Sequence, residues 1–186
     1  MGGTFDPIHH GHLLSAETVR QKLGLDAVVF IPAAQSPFKQ NREAADALHR
    51  YQMVNLAIAD NPHFFASDIE LERGGVTYTV DTVKEIAAEY LGADIFFIIG
   101  ADQLANLHKW KSIDELMGLC TFVCTNRPGA ELNSVIEHLK YVEIPPWDVS
   151  STEIRCKVRC GDSIKYLVPS LVGGYIKKHG IFREGE

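Results

Sequence analysis

The segment Ile95-Phe96-Phe97-Ile98-Ile99, closed by Gly100, has five consecutive apolar residues and decides the fold class. Three more apolar runs resemble strands, at 27–31, 121–125 and 142–144. Runs that are apolar throughout are typical of strands covered on both faces, as in a parallel sheet, whereas half-buried strands alternate with polar residues. The sequence therefore predicts several buried parallel strands.

Helical patterns separate these runs, at 11–23, 42–59, 80–90, 112–117, 152–158 and 169–178. Strands that alternate with helices indicate an α/β fold: a doubly wound, Rossmann-like parallel sheet with helices on both faces. The segment 33–43 is polar, contains Pro37 and is expected to form a loop. With 186 residues, the chain has the length of a single domain, 1–186.

Composition excludes several classes of protein. The 46% of hydrophobic residues is ordinary for a folded domain, and the net charge of −6 argues against a general nucleic-acid partner. No apolar run approaches the roughly 18 residues of a membrane span, and the N-terminus lacks the pattern of a secretory signal. We expect a cytoplasmic location, no membrane partner and no nucleic acid. An anionic small ligand would need a local group of hydrogen-bond donors.

Four cysteines form two pairs, Cys120 with Cys124 and Cys156 with Cys160. A zinc site is one interpretation. However, if Cys120 and Cys124 lie on one strand, their separation of roughly 13 Å is too long for one zinc ion. The second pair is expected one turn apart on a helix. Free thiols in a reducing compartment are the favoured interpretation, and no protein-bound metal is predicted.

The N-terminus reads Gly2-Gly3-Thr4-Phe5-Asp6-Pro7-Ile8-His9-His10-Gly11-His12, and a helical pattern follows. Glycines let the backbone approach a ligand closely, and a helix N-terminus offers unpaired N–H groups to an anion. Imidazoles at the same place can donate to phosphate oxygens. The motif therefore predicts phosphate chemistry. The alternatives are polar loop histidines without a role, or a zinc site at His9 and His12. Neither the dinucleotide fingerprint nor the P-loop fits.

These residues resemble the signature of the HxGH nucleotidyltransferase superfamily, and the wording Gly-Gly-Thr-Phe-Asp-Pro resembles its nicotinate-nucleotide adenylyltransferase family. Further segments that resemble that family follow in order: 36–39 (Ser-Pro-Phe-Lys), 78–82 (Tyr-Thr-Val-Asp-Thr), 100–102 (Gly-Ala-Asp), 109–111 (Lys-Trp-Lys), 149–155 (Val-Ser-Ser-Thr-Glu-Ile-Arg) and the tail 166–180. The resemblance covers nearly the whole chain.

The resemblance implies an ATP site at the following residues: Gly2, Gly3, Thr4, Phe5, His9, His12, Gly100, Asp102, Ser150, Ser151, Thr152 and Arg155. Ser150 or Ser151 can cap a helix whose N-terminus faces the first motif, and Arg155 can grip polyphosphate. An ordinary capped helix with a surface arginine is the alternative. For Asp102, a ribose contact and a helix N-cap both remain open.

The resemblance also implies a site for nicotinate mononucleotide at Lys39, Thr79, Asp81, Trp110 and Lys111. Trp110 would stack on the pyridine ring, and backbone N–H groups near Thr79 would bind its carboxylate. The alternatives are a half-buried structural tryptophan, an N-cap at Asp81 and a surface lysine at Lys39.

Two positions depart from the family's pattern. Phe38 replaces the usual histidine, which puts a phosphate contact there in question. The family also has a short apolar strand before its two glycines, whereas this chain begins at Met1. We therefore expect that the presumed first strand before Gly2 is missing or truncated.

The resemblance implies adenylyl transfer from ATP to nicotinate mononucleotide, giving deamido-NAD and pyrophosphate. His9, His12, Lys39 and Arg155 would be the catalytic residues, with Mg²⁺ supplied as the ATP complex and with a homo-oligomer possible. The alternatives are an adenylyltransferase for nicotinamide mononucleotide or phosphopantetheine, a non-catalytic nucleotide-binding module, and a metal-dependent hydrolase.

Overall fold

The computed structural model of the chain describes residues 1–35, 44–104, 106–126 and 139–183, without the side chains of Asp102 and Asn126. Its strands are β1 (Gly2–Gly3), β2 (Val28–Pro32), β3 (Phe64–Ala66), β4 (Phe96–Gly100), β5 (Thr121–Asn126) and β6 (Leu139–Glu143). Its α-helices are α1 (His10–Leu23), α2 (Ala47–Ile58), α3 (Ile69–Arg73), α4 (Thr79–Glu89), α5 (Ala101–Leu104), α6 (Ile113–Leu119), α7 (Ser151–Arg159) and α8 (Ser170–His179).

The strands pair in two sets of three, in the orders β1-β2-β3 and β4-β5-β6, and the ladders between the described strands are parallel. Strands β1 and β4 contact each other where the two sets meet. The chain therefore builds outward in both directions from this junction, as in a doubly wound sheet, and the predicted fold class is confirmed. In such sheets ligands bind beyond the carboxyl ends of the strands at the switch point, here between β1 and β4.

Apolar side chains cover both faces of β4 and β5. On β4, Ile98 belongs to one core cluster, whereas its neighbours Phe97 and Ile99 belong to another. Val123 and Phe122 divide in the same way on β5. Because consecutive side chains of a strand point to opposite faces, this division explains why the sequence of each strand is apolar throughout. The prediction of strands covered on both faces is confirmed for β4 and β5. For the run at 142–144 it is wrong, because β6 spans Leu139–Glu143 and three of its five residues are exposed.

Two differences from the predicted elements have simple physical causes. The pattern at 42–59 predicted one long helix, but the described helix α2 begins at Ala47, because the Asp46 side chain caps it by accepting from the Leu48 N–H at 2.8 Å. The sequence also gave no signal for β3 and α3, which span three and five residues. Elements this short show too few turns or alternations to produce a periodic pattern.

Close approach of backbone to side chains explains the two glycines of β1. A side chain at Gly2 would lie 3.3 Å from the Phe97 ring on β4, and one at Gly3 would lie 3.0 Å from the Phe5 ring. Hydrogen bonds from the Ile31 N–H to the Met1 carbonyl, 3.0 Å, and from the Ala33 N–H to the Gly3 carbonyl, 2.8 Å, attach β1 to β2.

The described helices include none whose length and hydropathy would let it span a bilayer.

Candidate active site

A cavity of about 1000 Å³ lies at the junction of the two strand sets. Residues that directly follow β1 and β2 line it, together with the last residues of β4. Of the predicted ATP-binding residues, these line the cavity: Gly2, Gly3, Thr4, Phe5, His9, His12, Gly100, Ser150, Ser151, Thr152 and Arg155. The fold thus brings the N-terminal motif and the 150–155 motif to one place, at the switch point.

His9 and His12 form a stacked pair at the start of α1. His9 is the N-cap residue and is buried, and the two ring centroids are 3.7 Å apart at an interplanar angle of 29°. The backbone N–H of His9 donates to Nδ1 of His12 at 3.2 Å. Because Nδ1 accepts, a neutral His12 ring carries its hydrogen on Nε2. His12 is thereby prepared to donate a hydrogen bond from Nε2.

Two neighbours fix the orientation of these rings. Phe5 packs its edge against His12, with centroids 5.2 Å apart, and is itself buried with a φ of +49°. Gly11 lies beside His9, where an added Cβ would come within 3.0 Å of the His9 Nδ1 atom. A side chain at position 11 would therefore displace the His9 ring. This contact gives a physical reason for glycine within the His9-His10-Gly11-His12 sequence.

Helix α7 brings the second motif against the first. Ser150 is its N-cap, and its Oγ accepts from the Glu153 N–H at 3.2 Å, so the predicted cap is confirmed at Ser150. Ser151 Oγ donates to the Pro7 carbonyl at 3.0 Å, and Arg155 Nη1 donates to the Asp6 carbonyl at 2.6 Å. These bonds hold the N-terminus of α7 at the cavity, where the N–H groups of a first helical turn favour an anion.

Sequence reasoning missed Asp6 as a structural link. Its Oδ1 accepts from the Ala45 N–H at 3.1 Å, and its Oδ2 lies 3.5 Å from Arg155 Nη1. The side chains of Asp6 and Arg155 are only 8% and 11% exposed, so this ion pair is shielded from water. The glycines and histidines of the N-terminal motif predict phosphate chemistry, but the sequence carries no signal that Asp6 joins the two motifs.

Arg50 was missed as well. It projects from α2, is buried, lines the cavity and donates to three main-chain carbonyls: Thr4 at 2.7 Å, Ala45 at 2.9 Å and Ala34 at 3.2 Å. Burial lowers the pKa of its guanidinium, and the negative charge of Asp6 opposes that shift. An arginine within a helical pattern gives no sequence signal for burial, because most arginines lie on the surface.

Four of the residues predicted to bind the pyridine nucleotide lie outside the lining of the cavity: Thr79, Asp81, Trp110 and Lys111. Lys111 Nζ pairs with Asp81 Oδ2 at 3.0 Å and lies 4.4 Å from the ring centroid of Tyr78. Tyr78, and not Asp81, is the N-cap of α4, so the alternative that Asp81 caps this helix is wrong. Thr79 is the first residue of α4.

Trp110 is half-buried and packs edge-on against Phe97 and Phe122, with centroids 5.9 and 6.2 Å apart. It therefore supports the core even if one face also stacks on a ligand. Trp147 differs from Trp110, because 43% of it is exposed and it lines the cavity.

Two predicted site residues, Lys39 and Asp102, are not described in full by the structure. Lys39 and its neighbour Phe38 lie outside the described residues. Asp102 belongs to α5 by its backbone, and its side chain lies outside the description. Their assigned roles stay predictions.

The four cysteines divide by environment. Cys120 and Cys124 are buried, whereas Cys156 and Cys160 are exposed. Cys120 ends α6 and only Cys124 lies within β5, so the two do not share one strand as the sequence suggested. Within the described ranges, no group of three or more histidine, cysteine, aspartate or glutamate side chains could hold a metal ion.

Comparison with known proteins agrees with this geometry. The family profile described as cytidylyltransferase-like matches residues 1–157. A protein of Thermoanaerobacter sp. (strain X514), named "probable nicotinate-nucleotide adenylyltransferase", is 44% identical over 100% of this chain and 94% of its own length. A protein of Tropheryma whipplei (strain TW08/27) with the same name is 45% identical over 98% of both chains. The chain belongs to the nicotinate-nucleotide adenylyltransferase family.

Solved structures support the fold of this adenylyltransferase. The Plasmodium falciparum nicotinic acid mononucleotide adenylyltransferase complexed with NaAD superposes with a TM-score of 0.82, at 19% identity, over 97% of this chain and 94% of its own. The same enzyme complexed with APC gives a TM-score of 0.80. At this identity the likeness concerns the fold alone, and it confirms the predicted nucleotidyltransferase type.

Proposed function

We propose that this adenylyltransferase transfers the adenylyl group of ATP to nicotinate mononucleotide, giving deamido-NAD and pyrophosphate in the biosynthesis of NAD. Relatives named "probable nicotinate-nucleotide adenylyltransferase", at 44% and 45% identity, support the choice of reaction. The observation that carries the proposal is the joining of two phosphate-binding motifs at one cavity, through Ser151 to the Pro7 carbonyl and Arg155 to the Asp6 carbonyl.

In the proposed reaction, an oxygen of the acceptor's 5′-phosphate attacks the α-phosphorus of ATP in line. The new phosphorus–oxygen bond forms as the bond between the α-phosphorus and the bridging oxygen breaks, and pyrophosphate leaves with the electron pair. The substrate itself supplies the nucleophile, so no residue forms a covalent intermediate. The protein contributes by positioning the two phosphates and by stabilising negative charge in the transition state.

His12 is the best-prepared donor for that charge. Its Nδ1 accepts from the His9 N–H, so a neutral ring carries its hydrogen on Nε2, the nitrogen that we assign to a phosphate oxygen. His9 lies stacked beneath it and lines the same cavity. We assign both histidines to the α- and β-phosphates, where a fixed donor costs no reorganisation when charge develops.

Arg155 and the N-terminus of α7 supply the second set of donors. The Arg155 Nη2 atom donates to Thr152 Oγ1 at 3.2 Å and Nη1 to the Asp6 carbonyl, so the guanidinium plane is held beside the cavity. A guanidinium in fixed orientation suits two phosphate oxygens at once. We assign Arg155, Ser150, Ser151 and Thr152 to the polyphosphate of ATP, and Lys39 to a phosphate as well.

The remaining predicted residues are assigned to the acceptor and to ribose. The N–H groups of the first turn of α4, at Thr79, would bind the pyridine carboxylate, with Asp81, Lys111 and one face of Trp110 nearby. Asp102 would bind a ribose hydroxyl. These roles follow from the motifs and from the positions of the backbone.

Magnesium enters this proposal as part of the substrate, the complex of Mg²⁺ with ATP. The two acidic residues that line the cavity in the described part are Asp6 and Asp46, and both accept backbone N–H groups of the protein. Neither forms part of a carboxylate cage. This fits a metal ion held mainly by ATP phosphates, as is usual for Mg²⁺.

We also propose that the enzyme acts in the cytoplasm on small molecules alone, without nucleic acid or membrane partners, and a homo-oligomer is compatible with this function. The net charge of −6 supports the exclusion of a nucleic-acid partner.

The test is pyrophosphate release from ATP and Mg²⁺ with nicotinate mononucleotide, nicotinamide mononucleotide and phosphopantetheine as separate acceptors. We expect kcat/KM to be at least ~100-fold higher for the acid than for the amide, which is about 2.7 kcal/mol of transition-state discrimination. Equal rates for acid and amide would retain the chemistry and contradict the acceptor. No release with any of the three, from folded protein, would contradict the proposal as a whole.

A further inference from the structure

A buried carboxylate, Glu70, lies in α3 and belongs to neither motif. It is 8% exposed and carries no assigned role. Its Oε2 accepts from the Thr77 hydroxyl at 2.6 Å and its Oε1 from the Thr82 hydroxyl at 2.7 Å, both in buried surroundings. Each carboxylate oxygen therefore has a dedicated hydroxyl donor.

The two threonines flank the segment to which we assign the acceptor's pyridine ring. Thr77 precedes α4, and its N–H donates to the Gln35 carbonyl at 3.2 Å. Thr82 lies in the first turns of α4, and its N–H and that of Asp81 both point to the Tyr78 carbonyl, at 3.3 and 3.0 Å. Glu70 thus holds both ends of the segment 77–82, which we call the acceptor turn.

Arg73 completes this arrangement from the same helix as Glu70. Its Nη1 donates to Thr82 Oγ1 at 3.2 Å, and its guanidinium also pairs with Glu85 of α4 at 2.8 Å. Thr82 is therefore fixed by an acceptor and a donor at once. In the described part, α3 orients the acceptor turn through hydrogen bonds to two hydroxyl groups, those of Thr82 and Thr77.

A charged group in this position needs an explanation. Removing a carboxylate from water is unfavourable, and an apolar side chain of similar size would fill the same space without that penalty. An apolar residue, however, could not orient two hydroxyl groups. The carboxylate gives the turn a defined geometry, which is what the supporting residues of a binding site provide.

We propose that Glu70 is a positioning residue for the acceptor. Through Thr77 and Thr82 it sets the position of the first turn of α4, so that the backbone N–H groups at Thr79 meet the acidic group of the pyridine nucleotide. Glu70 does not itself touch the substrate. This inference rests on the proposed function, since it concerns the same acceptor.

The test compares Glu70→Gln, Thr77→Val and Thr82→Val with the wild-type enzyme. We expect each to raise KM for nicotinate mononucleotide about tenfold, with KM for ATP and kcat within about twofold of wild type. The preference for the acid over the amide, measured as the ratio of kcat/KM values, should fall by a similar factor. Thr77→Ser and Thr82→Ser retain the hydroxyl and should restore both values.

A matched control is Glu17→Gln. Glu17 is a carboxylate of α1 that accepts from Arg20 and from Asn61 at 3.0 and 3.2 Å, away from the acceptor turn. The Glu17→Gln substitution should leave both KM values and the acid-to-amide ratio unchanged. Thermal unfolding of every variant is measured in parallel, so that a loss of stability is recorded separately.

Two results would overturn the proposal while leaving the proposed function intact. One is a wild-type enzyme active with nicotinate mononucleotide whose three variants keep KM and the acid-to-amide ratio. The other is an equal rise of both KM values with a lower Tm, which would make Glu70 purely structural. A wild-type enzyme that does not use nicotinate mononucleotide would instead remove the proposed function, and this inference with it.

Discussion

The phosphate region (residues 2–12 and 150–155) and the acceptor region (residues 70–82 and 110–111) are held together in different ways. In the phosphate region, the ion pair of Asp6 and Arg155 has side chains 8% and 11% exposed. In the acceptor region, the pair of Asp81 and Lys111 has side chains 38% and 47% exposed. Buried ion pairs depend strongly on both partners, whereas exposed pairs contribute little to stability.

The two regions also differ in how far apart their parts lie in the chain. Arg155 and Asp6 are 149 positions apart, whereas Glu70 and its threonines are separated by 7 and 12 positions. Substitutions in the phosphate region should therefore affect both catalysis and stability. Substitutions in the acceptor region should mainly affect binding of one substrate.

The largest expected effect follows from His12→Ala. It removes the Nε2 donor assigned to the transition state, so kcat should fall by roughly 10²–10³, the usual cost of losing one such donor. His10→Ala is the control, because His10 lies two residues away and does not belong to the cavity lining in the described part. The measurement is kcat from the steady-state kinetics of both variants. A His12→Ala enzyme with unchanged kcat would contradict the assigned role.

Arg155→Ala should show the double effect expected of the phosphate region. We expect kcat/KM for ATP to fall about 100-fold, because a fixed guanidinium is lost. The free energy of unfolding should also fall by roughly 1–3 kcal/mol, since the Asp6 carbonyl loses its charged donor in buried surroundings.

Arg159→Ala provides the comparison for Arg155, because it lies on the same helix but is exposed near the C-terminal end. Denaturant unfolding of this variant should show a loss of at most about 1 kcal/mol in the free energy of unfolding. Its steady-state kinetics should match those of the wild type. Equal effects from the two arginines would remove the distinction between a buried link and a surface charge.

Lys111→Met tests the acceptor region. The free energy of unfolding should change by less than about 1 kcal/mol, because the pair with Asp81 is exposed. KM for nicotinate mononucleotide should nevertheless rise several-fold, and KM for ATP should stay constant. Lys109→Met, which removes a neighbouring exposed lysine bonded only to Asn106 in the described part, serves as the matched variant. A defect toward ATP would contradict the division into two regions.

The smallest expected effect concerns pH. Burial raises the pKa of the Cys120 thiol from 9.0 to about 11. Below pH 9 this thiol is neutral in both folded and unfolded states; between pH 9 and 11 the unfolded thiol ionises first, so the free energy of unfolding falls as pH rises. Cys120→Ala should reduce that decline, measured by urea unfolding at pH 8 and pH 10. An unchanged slope would contradict the burial effect.

Local signals in the sequence predicted much of the fold and of the candidate site. The apolar runs of β4 and β5, the helical patterns and the serine cap of α7 each depend on residues within a few positions of one another. The same is true of the two motifs that revealed the family. The short elements β3 and α3 could not be predicted, because packing against β2 and α4 stabilises them and their own few residues carry no periodic signal.

For the candidate site, the sequence by itself determined which residue types are available: glycines and histidines at one helix start, serines and an arginine at another. The tertiary structure decided how they meet. Only the packed fold brings Arg155 to the Asp6 carbonyl and buries Arg50, which donates to three carbonyls. It also packs Trp110 against Phe97, outside the lining of the cavity. The bond from Arg155 to Asp6 joins positions 149 residues apart, and the bond from Arg50 to the Thr4 carbonyl joins positions 46 apart. Their geometry depends on how the sheet and helices pack, which no local pattern encodes.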